Sequence, residues 1–176
     1  MLFRSALAVQ QTVATVKSIA PPTLAEQLAA AAEGGDARAP ARATAVRTIL
    51  KQALADGRAA IRARFEAGDS GMQAARAMAA LTDEVVRALF TFATEVVYPA
   101  ANPTKAERIA LVATGGYGRG EMAPFSDVDL LFLLPYKQTP WGEQVVEYLL
   151  YVLWDLGLRS EEHTSELQSQ STISYA

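Results

Sequence analysis

The chain has 176 residues, of which 51% are apolar and 20% charged, an ordinary globular balance with room for one domain and a helical extension. It holds no cysteine and one histidine, His163, which excludes a disulfide scaffold, thiolate zinc sites, cysteine nucleophiles and multi-histidine metal centres. A net charge of −3 and a pI near 5.2 give no electrostatic case for a nucleic-acid surface, and no stretch approaches the ~20 apolar residues of a membrane helix.

Residues Met1 to Ala20 contain Gln10, Gln11, Thr12 and Lys17, which interrupt any signal-peptide core. Residues 21–42 are rich in Ala, Gly and Pro, so 1–42 reads as a loosely structured, partly helical leader of a cytoplasmic protein. From Ala43 the period becomes helical, with Val46, Ile49, Leu50, Ala53, Leu54, Ile61 and Phe65 on one face. Arg58, Arg62 and Arg64 lie off that stripe and read as a solvated face. Gly68-Asp69-Ser70-Gly71 breaks the helix, and Asp69 or Ser70 can cap the next one. That helix carries Met78, Leu81, Val85, Leu89, Phe92 and Val96 at three/four spacing and ends by Pro99. Residues 43–98 thus form a helical region whose stripes are core-packing faces.

The texture then changes. Ile109-Ala-Leu-Val-Ala113 reads as a buried strand, and Asp127-Val-Asp-Leu-Leu-Phe-Leu-Leu134 as a second. Between them lies the glycine-dense turn Gly115-Gly-Tyr-Gly-Arg-Gly120. After the polar loop Pro135 to Pro140, Val145, Val146, Leu149, Leu150, Leu153 and Leu156 mark an amphipathic helix that also contains Asp155.

Alternate side chains of a strand share a face, so Asp127 and Asp129 project together, roughly 6–7 Å apart along the chain. Two like charges at the start of an apolar strand repel and resist desolvation. A hard divalent cation relieves both problems, and Mg²⁺ held by two carboxylates completes its shell with water and substrate phosphate oxygens. Glycine permits close backbone approach, so Gly115 and Gly116 can lie against a triphosphate. Arg119 can add a charge-assisted bond to the same phosphates and Ser126 a hydroxyl contact. The turn is not a dinucleotide fingerprint, because counting from Gly116 places Glu121 where the last glycine should fall. Nor is it a Walker A loop, since Glu121 and Met122 follow Gly120.

A strand, a Gly-Gly turn, ten intervening residues and Asp-x-Asp on the next strand together resemble the DNA polymerase beta-like nucleotidyltransferase superfamily. Within it, Gly115 to Glu121 and Pro124-Phe-Ser-Asp-Val-Asp-Leu-Leu131 are similar to the bacterial PII uridylyltransferases. Tyr98 to Pro103, Leu134 to Trp141 and Trp154-Asp-Leu-Gly157 share the likeness, which covers roughly residues 45–158. The resemblance implies an α+β fold: an N-terminal helical region followed by a truncated nucleotidyltransferase core over 108–158. It also implies transfer of UMP from UTP to a tyrosine of the PII nitrogen-signalling protein, with release of pyrophosphate. Asp127 and Asp129 then bind catalytic Mg²⁺, and Gly115 and Gly116 lie on the triphosphate. The family's third carboxylate has no match here, and its uridylyl-removing and glutamine-sensing domains are missing. The chain alone is therefore expected to be inactive or nearly so. Two alternatives stand beside this reading: an adenylyltransferase-like enzyme of the same superfamily, and a non-catalytic nucleotide-binding module.

The tail breaks with all that precedes it. Arg159 to Ser169 is polar and, with Ile173-Ser-Tyr-Ala176, resembles the conceptual translation of a sequencing-library adaptor. Residues 159–176 are accordingly expected to be non-native. Setting aside Arg159, Glu161, Glu162 and Glu166 takes the net charge from −3 to −1 and removes His163 as a candidate ligand.

Overall fold

A computed structural model describes residues 21–102, 104–134 and 139–158. Residues 1–20, the Pro135 to Gln138 part of the polar loop and the tail from Arg159, with His163, lie outside them. The element order is α1 (Leu24–Ala32), α2 (Pro40–Glu66), α3 (Gly71–Phe92), a π-helical turn (Ala93–Val97) and a 3-10 turn (Lys105–Glu107). Then follow β1 (Ala110–Ala113), a single helical turn α4 (Gly115–Gly118), β2 (Leu130–Leu133) and α5 (Pro140–Asp155). The fold is α+β, with the helical region first.

The segment read as a leader holds α1. Thr23 and Glu26 form a capping box, each side chain satisfying the other residue's backbone N–H. Leu24, Leu28 and Ala32, spaced by four, then bury one face against α2 and α3. Pro40 opens α2, where its fixed φ suits a first helical position and its missing N–H costs nothing. Of the two capping candidates Ser70 takes the cap of α3, in a box with Gln73, while Asp69 pairs with Arg64 at 2.7 Å. Val46, Leu50, Leu54, Val85, Leu89 and Phe92 are nearly sealed from solvent. Phe65 departs from its expected place in the stripe and is 52% exposed. Met72, just across the α2–α3 turn, is exposed as well, so the end of this hairpin projects past the core. Arg62 and Arg64 lie on the solvated side as expected, and Arg62 pairs with Glu66.

β1 and β2 pair antiparallel, Leu111 opposite Phe132 and Ala113 opposite Leu130. Val128, Leu130 and Phe132 are buried at alternate positions. The regular ladder is shorter than the expected 127–134 because β1 gives way to the glycine turn; one further bond, Thr114 N–H to the Asp129 carbonyl at 2.9 Å, extends it. α5 is capped by Thr139 and packs on the segment after α3. Trp141 Nε1 donates to the Tyr98 carbonyl at 2.7 Å, and Tyr98 and Tyr148 meet edge to face. Asp155 is exposed, as the helical pattern implies, and pairs with Arg47 of α2 at 3.2 Å. Among the described residues no helix is long and apolar enough to cross a membrane.

Candidate functional site

The chain leaves β1 into α4 through Gly115, whose φ is +59, a conformation that L side chains rarely adopt. A second constraint acts at the same residue: a Cβ on Gly115 would collide with the Asp129 carboxylate. The acidic strand entry and the glycine turn, fourteen positions apart in sequence, are therefore in direct van der Waals proximity. Gly118 is constrained from the other side, where a Cβ would sit 2.6 Å from the Ala113 carbonyl oxygen and 2.9 Å from its carbon. The turn is thus pressed against both the end of β1 and the start of β2, which only glycine backbone allows.

Asp129 stands between the buried Val128 and Leu130 with its carboxylate beside Gly115, and Asp127 lies two residues earlier, both ahead of the regular strand that begins at Leu130. Asp129 is half-buried and Asp127 exposed. Among the described residues no group of three or more His, Cys, Asp or Glu side chains is placed to hold a metal ion. The donor set is two carboxylates, which suits a hard divalent cation that completes its shell with water and phosphate oxygens. Arg119 and Gly115 are exposed and Gly116 half-buried, so the turn's outer surface is accessible. The Arg119 guanidinium reaches within 3.9 Å of where a Gly116 Cβ would stand. Ser126 is exposed, and its hydroxyl donates to the Ala123 carbonyl at 2.9 Å within its own loop.

Two residues outside the expected set shape this site. Tyr117, the one aromatic among the glycines, is buried and its hydroxyl donates to Asp83 Oδ1 on α3 at 2.7 Å. Burial pushes the Tyr117 phenol well above its ordinary range, and the bond to Asp83 adds to the shift. Phe125 is the second: it is 98% exposed and holds φ +69, a strained conformation for an aromatic residue. An aromatic inside a glycine turn is a readable signal for an anchor, but nothing in the sequence pairs it with Asp83, 34 positions away. Behind the sheet, a cavity of about 540 Å³ lies between α3 and the inner strand face, lined by Asp83, Phe90, Leu111, Tyr117 and Leu130 among others.

With this geometry in place, comparison with known proteins defines the class. Residues 101–175 match the family model described as "Nucleotidyltransferase domain", a span that begins before β1 and runs through the tail. That span is similar to the nucleotidyltransferases, whose members generally use a nucleoside triphosphate and a divalent metal. Its curated relatives are more particular. The chain is 55% identical over 126 residues to the bifunctional uridylyltransferase/uridylyl-removing enzyme of Caulobacter vibrioides, covering 72% of this chain and 13% of that protein. It is 61% identical over 110 residues to the enzyme of the same name from Azospirillum brasilense, covering 62% and 12%. Identity is 54% over 138 residues to that of Phenylobacterium zucineum, covering 77% and 14%. The chain thus spans about an eighth of the length of the curated relatives it matches. No solved structure matches it.

Proposed function

We propose that this chain supplies the metal- and triphosphate-binding half of a uridylyltransferase that moves UMP from UTP to a tyrosine of the PII signalling protein. The observation that carries the proposal is the contact between the Gly115 backbone and the Asp129 carboxylate, which joins the phosphate-binding turn to the acidic pair. In this reading Asp127 and Asp129 hold Mg²⁺, and the backbone of Gly115 and Gly116 approaches the triphosphate. Arg119 offsets phosphate charge, and Ser126 orients the loop or a phosphate oxygen. Bound there, Mg²⁺ would neutralise charge on the nucleotide's phosphates. The reaction is in-line: the PII tyrosine oxygen attacks the α-phosphorus of UTP, the bond to the β-phosphate's bridging oxygen breaks, and pyrophosphate leaves. Held geometry and charge complementarity are what this half contributes. The cysteine-free, acidic composition suits a reducing cytoplasm, where we place the enzyme. The names of the relatives favour uridylyl over adenylyl transfer.

The test is labelled UMP incorporation into PII by the full-length enzyme carrying this sequence, with UTP and ATP offered separately. Asp127→Asn and Asp129→Asn are each expected to lower transfer by at least about a hundredfold, the scale of losing a transition-state charge stabiliser. Near-normal rates in either variant with Mg²⁺ would remove that residue from the site. Faster transfer from ATP would replace uridylyl by adenylyl chemistry, and tight nucleotide binding with no transfer would indicate a non-catalytic module.

A further inference from the structure

Tyr117 sits at the centre of the glycine turn yet points inward, away from the face that carries Asp127 and Asp129. Its ring is buried, and its hydroxyl reaches Asp83 on α3, a helix that also offers the Ala75 carbonyl to this segment. That carbonyl accepts the Met122 N–H at 3.2 Å, just past the turn's other end. The turn is therefore tied to α3 at two points that bracket Gly118 to Gly120. A shift of Tyr117 moves Gly115 and Gly116 directly, because they precede it in the same helical turn. Gly115 lies beside the Asp129 carboxylate, so such a shift changes how the turn meets that carboxylate.

We infer that Asp83 is a positioning residue for nucleotide binding: through the Tyr117 hydroxyl it fixes the glycine turn against the carboxylate pair. This rests on the proposed site for the triphosphate, and deepens it by assigning the helical region a part in nucleotide affinity. Arg87, 4.0 Å from Asp83 Oδ2, holds the far side of the same carboxylate. The packing of α3 does not depend on the bond, because its buried face is Met78, Val85, Leu89 and Phe92. Asp83 is half-exposed at the edge of that face.

The experiment is calorimetric titration of the full-length enzyme carrying this sequence with Mg²⁺-UTP, with the thermal midpoint recorded for each protein. Tyr117→Phe keeps the ring and removes the hydroxyl; it is expected to weaken Mg²⁺-UTP binding about tenfold, the scale of one bond to a charged acceptor, with little change in midpoint. Asp83→Leu should do the same, and the double variant should lose no more than either single one. Asp83→Asn retains a side-chain carbonyl that can accept the hydroxyl and should recover most of the lost affinity. Wild-type binding with unchanged affinity in Tyr117→Phe would overturn the positioning role and leave the site intact. Failure of Asp83→Asn to recover affinity would overturn it too. A wild-type full-length enzyme that does not bind Mg²⁺-UTP would overturn the proposed site, and this inference with it.

Discussion

The helical region and the strand region are built on different terms. In the first, Leu28, Val46, Leu50, Val85 and Leu89 are completely inaccessible, and helix ends are closed by two capping boxes. In the second, Leu111, Val112 and Leu131 are only half-buried, and Leu133 is 49% exposed. The strand region buries Val128, Leu130 and Phe132 as well, and adds specific tethers: Tyr117 to Asp83, Met122 to Ala75, Trp141 to Tyr98. Apolar burial dominates the first, while the second combines its buried strand face with close backbone fits and single hydrogen bonds to the first. A site made this way can keep two carboxylates beside an accessible glycine turn without sealing either from water, which a dense core would do.

The sharpest way to break this contrast is truncation in each region. Leu89→Ala removes a fully buried side chain and should cost about 2–5 kcal/mol. Leu133→Ala, half-exposed on the strand, should stay within roughly 1 kcal/mol. Chemical denaturation of both variants reads the difference; equal losses would erase the distinction between the regions.

Gly118→Ala probes the strand region's own constraint. Its new methyl would meet the Ala113 backbone carbonyl, which cannot swing aside as a side chain can, so a cost of about 1–3 kcal/mol is expected. Hydrogen exchange should accelerate from residue 110 to 133 and leave α2 and α3 as protected as before. Unaltered exchange in the turn would show that it tolerates a Cβ and is not tightly seated.

The smallest expected effect joins the two regions at Tyr148. Burial, reinforced by Tyr98, pushes its phenol up to about 12, above the ordinary tyrosine range, so the folded state favours the neutral form. Its contribution is fully present below pH about 10, where the unfolded chain is also protonated, and is lost as pH rises toward about 12. Stability should therefore fall across that window, less steeply in Tyr148→Phe. An identical alkaline slope in both proteins would assign the fall to other groups, Tyr117 among them.

Period and punctuation made most of the fold readable. The three/four stripes of α2, α3 and α5, the Ser70 cap and the apolar cores of both strands stand where their residues place them, because each is a local pattern, while the second strand starts only at Leu130. α1 was less readable, since alanine-rich sequence has high helix propensity but little contrast between faces; Leu24 and Leu28 find their partners only in the tertiary packing. Phe65 illustrates the reverse error of periodicity, which marks a face without saying how far the neighbouring helices extend. In the candidate site, the spacing of Gly115, Gly116, Asp127 and Asp129 marks the residues, and the approach of Gly115 to Asp129 is what the structure adds. The Asp83–Tyr117 bond was not, because it links elements whose relative placement no local pattern encodes. The strained backbone at Phe125 was equally hidden, since sequence carries no φ.

The most direct test of the central claim, that residues 115–129 form one metal-dependent triphosphate site, is UTP binding to the full-length enzyme carrying this sequence with Mg²⁺ and after its removal by EDTA. The account predicts binding with Mg²⁺, its loss on chelation, and no binding in Asp129→Asn under either condition. UTP affinity indifferent to both the metal and Asp129 would contradict it.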